Sequence, residues 1–196
     1  MNTGRVLLIG GCPRAGKTTL SVRLAKEGGF SRISLDSISD ALIQGFPEIL
    51  IEDPTDQEEC ATKKFAFFQS FIGSLLNDAE LYGINSVFDM YDFTPEHVHR
   101  LPFRDRLEVW FLGFPELSVS EIRRVIRQYA APTDWIAQVD EDYLTVVAER
   151  IHRFNQKLKK QCQDYGYPFV DTGVGNARTQ KLQELYEMII TCGASQ

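Results

Sequence analysis

Eight residues near the start of the chain read Gly11-Cys12-Pro13-Arg14-Ala15-Gly16-Lys17-Thr18, and no other segment constrains the fold as tightly. They match the spacing G-x-x-x-x-G-K-[ST], in which glycines let the backbone curl until successive amide groups point inward. The apolar run Val6-Leu7-Leu8-Ile9 comes shortly before them and is typical of a strand buried on both faces of a parallel sheet. A helical pattern begins at Lys17, so the motif has the strand–loop–helix context that it requires.

This loop predicts a binding site for the phosphates of a nucleoside triphosphate. Inward-pointing amide groups and the positive end of the following helix both attract phosphate oxygens. Lys17 supplies a cation for the outer phosphates, and the hydroxyl of Thr18 is a ligand for Mg2+. The residues expected to contact the nucleotide are Gly11, Cys12, Pro13, Arg14, Ala15, Gly16, Lys17, Thr18 and Thr19.

The composition is that of an ordinary globular protein. Of the 196 residues, 43% are apolar and 24% are charged, which excludes a disordered tail, a collagen-like fibre and a small disulfide scaffold. This length predicts a single domain spanning residues 1–196. Acidic residues outnumber basic ones by 27 to 21, for a net charge of −6, which is unfavourable for general nucleic-acid binding. We therefore expect no nucleic-acid partner.

The cysteines and histidines indicate neither a disulfide framework nor a metal centre. Four cysteines lie far apart, and three histidines have no triad or metal-ligand spacing. They are Cys12, Cys60, Cys162 and Cys192, and His97, His99 and His152. Free thiols are expected in a reducing compartment. The first apolar run is too short for a signal sequence or a membrane span, and no later run is longer. These features predict a cytoplasmic protein without a membrane partner.

Predicted strands and helices alternate along the whole chain. After the first strand, further strands are predicted from near Phe30 to Leu35, from Ile84 to Met90, from Leu107 to Leu112 and up to Val170. Four helices are predicted from apolar periodicity, over Lys17 to Lys26, Asp36 to Ile43, Leu144 to Leu158 and Lys181 to Ile190. Two more begin at capping boxes: one starts at Thr55 and ends at about Asn77, and the other starts at Ser118 and ends at Pro132. A short helix begins at Thr94-Pro95, with proline in its first turn. The acidic stretch Glu48 to Glu59 is predicted to be a loop. This alternation predicts an α/β fold with a doubly wound parallel sheet and right-handed crossovers.

Several classes of phosphate-binding protein are excluded by missing motifs. The chain has no guanine-reading N-K-x-D and no LSGGQ-type signature, and it is short for an oligomeric motor with a helical lid domain. From Val6 to about Thr172 it resembles the small P-loop kinases, the group that includes adenylate, shikimate and gluconate kinases. The resemblance rests on the loop and on Asp36, Asp89, an arginine-bearing helix after strand four, and Asp171-Thr172-Gly173. It implies a five-stranded sheet in the order 2-3-1-4-5, with ATP and Mg2+ as the bound species.

The resemblance also implies roles for two acidic residues at strand ends. Asp36 would hold the hydroxyl group of the phosphoryl acceptor and help to remove its proton, and Asp40, one turn further on, would join it. The alternative is that Asp36 only caps the following helix. Asp89 would hold Mg2+ together with Thr18, directly or through water. The alternatives there are a strand end facing solvent, or Asp92 in its place.

A lid is implied over about residues 114–135. Arg123, Arg124 and Arg127 lie opposite the apolar face of one predicted helix, and in the kinases that this chain resembles such arginines close over the transferring phosphate. Arg123 and Arg127 are therefore predicted to be catalytic; the alternative is a solvated basic face, with the cation coming from near Arg100 and Arg104 instead. Residues 171–177 correspond to the loop on the adenine side of these kinases.

The acceptor-binding segment, about residues 36–80, is unusual in its charge. No lysine or arginine occurs between Arg32 and Lys63, where nucleoside monophosphate kinases place an arginine for the acceptor phosphate. This departure favours a neutral or cationic hydroxyl compound, such as a sugar, nucleoside or amino sugar. Three alternatives stay open: a nucleoside monophosphate kinase using Arg100 and Arg104, a regulatory ATPase acting on a protein partner, and a nucleotide-binding module without catalysis.

Overall fold

One parallel sheet organises the protein. The structure is a computed structural model, and it describes residues 3–46, 57–91, 93–132 and 134–193. Within these ranges five strands pair in the order β2-β3-β1-β4-β5, as predicted. The strands are β1 (Val6–Gly11), β2 (Ser31–Ser34), β3 (Ser86–Asp89), β4 (Glu108–Gly113) and β5 (Phe169–Asp171).

Helices cover both faces of this sheet. They are α1 (Lys17–Glu27), α2 (Leu35–Gly45), α3 (Gln57–Tyr82), α4 (Pro95–Arg100), α5 (Val119–Tyr129), α6 (Glu141–Tyr165) and α7 (Gly175–Gly193). Successive residues of the central strand β1 point to opposite faces because side chains alternate along a strand. Leu7 and Ile9 pack with α1, α5, α6 and α7, whereas Val6 and Leu8 pack with α3, α4 and α6. The doubly wound α/β architecture predicted from the sequence is therefore confirmed.

The strand register aligns the carboxyl ends at which ligands bind in open α/β sheets. Ile9 of β1 lies opposite Asp89 of β3, and Ser34 of β2 lies opposite the same residue. On the other side, Gly11 lies opposite Leu112 of β4. The loop after β1, the start of α2 and the end of β3 consequently meet at one edge of the sheet.

Several boundaries differ from those predicted. Strand β3 begins at Ser86 rather than Ile84, because Asn85 uses its side-chain oxygen to accept the backbone N–H of Arg5 at 2.9 Å. Helix α3 continues to Tyr82, and α7 begins six residues before Lys181, at Gly175. The first turns of α7 are largely exposed and carry no apolar stripe to signal a helix. The Thr55 capping box and most of the loop from Glu48 to Glu59 lie outside the described residues.

The cap predicted at Ser118 is present. The backbone N–H of Ser118 donates to Glu121 Oε2 at 2.9 Å, and the N–H of Glu121 donates to Ser118 Oγ at 3.3 Å. These two bonds satisfy the first free amide groups of α5. The described cysteines Cys12, Cys162 and Cys192 are unpaired. Among the helices that the structure describes, none combines the length and apolar character needed to cross a bilayer.

Candidate active site

The loop between β1 and α1 has the geometry of a phosphate cradle. Gly11 and Gly16 have φ angles of 125° and 98°, values that side chains rarely allow. A Cβ atom at Gly11 would lie 2.1 Å from the carbonyl oxygen of Leu112, so the close approach of β4 also requires glycine there. Arg14 has a φ of 65° without being glycine. Its guanidinium group pairs with Asp134 and donates to the carbonyl oxygen of Tyr129 at 3.2 Å.

The ammonium group of Lys17 is held in place by two carbonyl groups of this loop. Its Nζ donates to the carbonyl oxygens of Gly11 and Cys12, both at 2.8 Å. Lys17 is only 7% exposed, yet it lines the cavity described below. The ammonium group is therefore desolvated and fixed in position before a ligand binds, which strengthens its attraction for an anion.

A buried asparagine fixes the second residue of the loop. Asn155 of α6 accepts the N–H of Phe114 at 2.8 Å through Oδ1 and donates from Nδ2 to the sulfur of Cys12 at 2.9 Å. Burial raises the pKa of the Cys12 thiol to about 12, so this sulfur stays protonated near neutral pH. Cys12 therefore serves packing and positioning, because the nucleophilic form of cysteine is the thiolate.

Thr18 and Asp89, the two residues predicted to hold Mg2+, are in direct contact. The Thr18 hydroxyl donates to Asp89 Oδ2 at 2.9 Å, and the Ser21 hydroxyl donates to Asp89 Oδ1 at 3.1 Å. Asp89 is 2% exposed, so the alternative of a strand end facing solvent is wrong. Thr18 lines the cavity, whereas Asp89 lies behind it. Arg32, which the sequence analysis did not assign, also binds Asp89.

A cavity of about 620 Å³ opens over the loop. Its floor is formed by residues of the loop and the start of α1, namely Pro13, Arg14, Gly16, Lys17, Thr18 and Thr19. Gly11, Cys12 and Ala15, which were also predicted to contact nucleotide, are buried and do not line it. The remaining walls are Asp36, Tyr91, Ile126, Tyr129, Ile136, Tyr143, Val147, Arg150, Ile151 and Arg178. One half of the cavity is therefore formed by the phosphate-binding loop, and the other half is lined by aromatic, acidic and basic side chains.

Asp36 belongs to this cavity and is not the cap of α2. Ser34 is the N-cap, because its Oγ accepts the N–H of Ser37 at 3.3 Å. The carboxylate of Asp36 lines the cavity and accepts the N–H of Tyr91 at 3.5 Å. Asp40, one turn further on, is exposed and does not line the cavity. Asp92, the alternative to Asp89, lies outside the described residues.

Arg123 and Arg127, predicted to close over a phosphate, do not line the cavity. Both guanidinium groups bind Glu141 at the start of α6, and their hydrogen bonds hold the pKa of that carboxyl below its ordinary value. Arg127 also donates to the carbonyl oxygens of Ile136, Ala137 and Val139 at 3.3, 3.1 and 2.8 Å. Arg124 is 77% exposed, with its nearest carboxylate 4.0 Å away at Glu121. Arg123 and Arg127 therefore bind the start of α6 and do not reach the cleft, whereas Arg124 faces solvent.

This placement gives a stability prediction for Arg127. Arg127→Ala removes bonds to three carbonyl groups and one carboxylate, so we expect the melting temperature to fall by about 5 °C. Arg124→Ala is the matched control and should leave the melting temperature unchanged. Thermal unfolding of both variants, combined with turnover per folded molecule, separates the two roles. A large loss of turnover at an unchanged melting temperature in Arg127→Ala would restore the lid interpretation.

Three other arginines line the cavity: Arg14, Arg150 and Arg178. The side chain of Arg150, on α6, has no hydrogen bond, ion pair or ring contact with any residue that the structure describes. Arg178 stacks over the ring of Tyr129 at 4.5 Å, and its buried Nη1 has no hydrogen-bond partner within the described ranges. Arg178 directly follows the predicted adenine-side loop, a signal that could have drawn attention to it. Arg150 differs in no sequence feature from the other polar residues of α6.

The remaining candidates lie away from the cavity. Arg100 stacks over Phe65 at 4.8 Å, and Arg104 donates to the carbonyl oxygen of His99 at 3.3 Å. His97 accepts the N–H of Thr94 at 3.2 Å, so it completes a helix cap. Across the described ranges, no group of three or more His, Cys, Asp or Glu side chains is arranged to bind a metal ion.

Solved structures of small-molecule kinases have the same architecture over nearly the whole chain. Shikimate kinase from Acinetobacter baumannii, in complex with shikimate, is 18% identical over 97% of this chain and 95% of that one, with a TM-score of 0.56. The chain has the fold of the small P-loop kinases. Deoxyadenosine kinase from M. mycoides is 16% identical over 95% of this chain and 99% of that one, with a TM-score of 0.53.

A third neighbour is a gluconokinase from Sinorhizobium meliloti 1021. It is 12% identical over 96% of each chain, with a TM-score of 0.53. No protein-family model matches the chain, and no curated protein matches it. The likeness to these kinases is therefore one of fold, and the side chains of the cavity must carry any argument about activity.

Proposed function

We propose that this protein transfers the γ-phosphoryl group of ATP to a hydroxyl group of a small molecule, with Mg2+ bound beside the phosphates. The observation that carries the proposal is that one cavity contains Lys17 and Thr18 of the phosphate cradle together with the carboxylate of Asp36. The neighbouring structures support it, since they are kinases of shikimate, deoxyadenosine and gluconate.

The cradle supplies the binding energy for the nucleotide. The backbone amide groups of Arg14 and of residues 16–19, which line the cavity, bind the phosphates together with the ammonium group of Lys17. Arg178 with Tyr129 offers a stacking surface at the side of α7. The hydroxyl oxygen of Thr18 suits Mg2+ as a ligand, and Asp89 behind it orients that hydroxyl. Thr18 would hold the ion directly because its proton is donated to Asp89, which leaves the hydroxyl lone pairs facing the cavity. A bound Mg2+ would neutralise negative charge on the β and γ phosphate oxygens.

The transfer step uses the other half of the cavity. The acceptor oxygen forms a bond to the γ phosphorus while the bond from that phosphorus to the bridging oxygen of ADP breaks. ADP leaves with the electron pair, and the hydroxyl proton passes to the carboxylate of Asp36. We assign to Arg150, in place of Arg123 and Arg127, the cation that balances charge on the transferring group.

The acceptor is a neutral or cationic hydroxyl compound of the sugar, nucleoside or amino-sugar type. The absence of lysine and arginine from residues 33–62 supports this class, since an acceptor phosphate needs a paired cation. Tyr91 and Tyr143 in the cavity walls support it too, because aromatic rings pack against sugar and base rings. A nucleoside monophosphate is the second candidate, favoured by Arg150, which could bind an acceptor phosphate instead.

A screen of acceptors tests this proposal. ADP formation is followed with sugars, amino sugars, nucleosides and nucleoside monophosphates, each against a background without acceptor. Stimulation by one class identifies the acceptor. If no acceptor changes the rate of ADP formation but a protein partner does, the result would instead favour a regulatory ATPase.

Asp36→Asn should reduce turnover about 100-fold or more, because the amide cannot take the proton of the acceptor hydroxyl. The melting temperature should stay close to that of the wild type, since Ser34 is the cap and the amide oxygen still accepts the N–H of Tyr91. Steady-state kinetics at saturating acceptor and thermal unfolding measure the two effects. Asp40→Asn is the matched control on the same helix and should keep full turnover. Full turnover with a much lower melting temperature in Asp36→Asn would assign that carboxylate to the helix.

A further inference from the structure

The carboxylate of Asp89 is paired with a cation that the proposed function does not use. Arg32 Nη2 lies 3.0 Å from Asp89 Oδ1 and donates to Oδ2 at 3.2 Å. The Nε of the same guanidinium group donates to the hydroxyl oxygen of Ser21 at 2.8 Å. Together with the bonds from Thr18 and Ser21, both carboxylate oxygens are fully engaged. One arginine on β2 therefore connects the end of β3 to α1.

Burial explains why an arginine stands there. Asp89 is 2% exposed, and a buried carboxylate without a counter-ion is strongly unfavourable. The planar guanidinium group can bind Ser21 and Asp89 at the same time, which the single ammonium of a lysine cannot do in the same geometry. The Arg32 side chain is 26% exposed, so its removal would open the carboxylate to water and ions.

The same pair affects how a divalent ion can bind. The charge of Asp89 is already balanced by Arg32, so an ion near Thr18 gains little from that carboxylate and is repelled by the guanidinium group. A divalent ion beside Thr18 therefore needs additional negatively charged oxygen ligands. The phosphates of a nucleotide bound to the loop supply them.

We propose that Arg32 is a positioning residue of the magnesium site. It fixes the Asp89 carboxylate as the acceptor of the Thr18 hydroxyl, and it prevents that carboxylate from binding a divalent ion in the absence of nucleotide. This inference rests on the proposed function, because it takes Mg2+ and a nucleotide as joint ligands.

Thermal unfolding without nucleotide tests the inference. Arg32→Gln removes the charge and keeps a hydrogen-bond donor, so in metal-free buffer its melting temperature should lie about 10 °C below that of the wild type. Millimolar Mg2+ alone should raise the melting temperature of Arg32→Gln by several degrees and leave the wild type unchanged. Equal responses of the two proteins to Mg2+, or a wild-type melting temperature for Arg32→Gln, would overturn the proposal.

Two further variants separate charge from packing. Arg32→Gln combined with Asp89→Asn should recover part of the lost stability and show no response to Mg2+, because no uncompensated carboxylate remains. If Arg32→Gln does not fold in metal-free buffer, the double variant must fold for the proposal to hold. Arg106→Gln breaks an exposed ion pair with Glu80 and should change neither stability nor metal response.

The proposed function is tested separately by titrating the wild type with ATP and Mg2+ in a calorimeter. Absence of binding there would refute the nucleotide site, whereas the nucleotide-free melting curves would still decide the role of Arg32.

Discussion

Lys17→Ala is expected to bind ATP with Mg2+ weakly and to transfer the phosphoryl group about 10³-fold more slowly than the wild type. The reason is the fixed position of the ammonium group, which two carbonyl oxygens of the loop hold at 2.8 Å in a residue that is only 7% exposed. A charge that is desolvated and oriented in advance needs no reorganisation when the phosphate becomes more negative. The measurements are kcat/KM from ADP formation and the dissociation constant from calorimetry.

Lys26→Ala is the matched control, because Lys26 is exposed in the last turn of the same helix. Its kinetics and its affinity for ATP should equal those of the wild type. Turnover of Lys17→Ala within a few-fold of the wild type would contradict the assignment of this cavity to phosphoryl transfer.

Arg150→Ala should lower kcat by about 10³-fold and change the affinity for ATP much less. The guanidinium group of Arg150 reaches the cavity and binds no other side chain or carbonyl group in the described ranges, so its charge is available to the group in transfer. Interactions that strengthen in the transition state appear in kcat rather than in ground-state binding. Steady-state kinetics with ATP and the acceptor varied in turn measure both quantities.

Arg153→Ala, one turn further along the same helix and largely exposed, is the control and should behave as the wild type. A different pattern would identify the second acceptor class: if Arg150 binds an acceptor phosphate, its loss raises KM for the acceptor and leaves kcat nearly unchanged. An Arg150→Ala enzyme with wild-type kinetics would exclude both roles.

The sheet could be predicted because its signals are local. The apolar run of β1 and the glycine spacing after it identify a strand, a loop and a helix without reference to distant residues. Alternation of strands with helices then leaves few topologies, since parallel strands require right-handed crossovers. The boundaries of β3 and α7 were less accurate because they depend on a side-chain bond from Asn85 and on an exposed first turn.

The positions of Asp36 and Asp89 at one edge of the sheet could also be predicted, because strand ends in such a sheet converge there. The arginines could not. Arg127 and Arg150 both lie on polar helix faces, and the sequence does not give the rotation of each helix about its axis. In the folded chain Arg127 donates hydrogen bonds to Glu141 and to three carbonyl groups. The rotation of α6 about its axis places Arg150 at the cavity. Arg32 was missed because its partner Asp89 is 57 residues away.

The central claim is tested most directly by following the γ-phosphate of labelled ATP in the presence of the best acceptor from the screen. We predict that the label moves to the acceptor, that labelled acceptor and ADP form in equal amounts, and that Lys17→Ala abolishes both. Label that appears only as inorganic phosphate, at a rate unaffected by every acceptor, would contradict phosphoryl transfer to a small molecule.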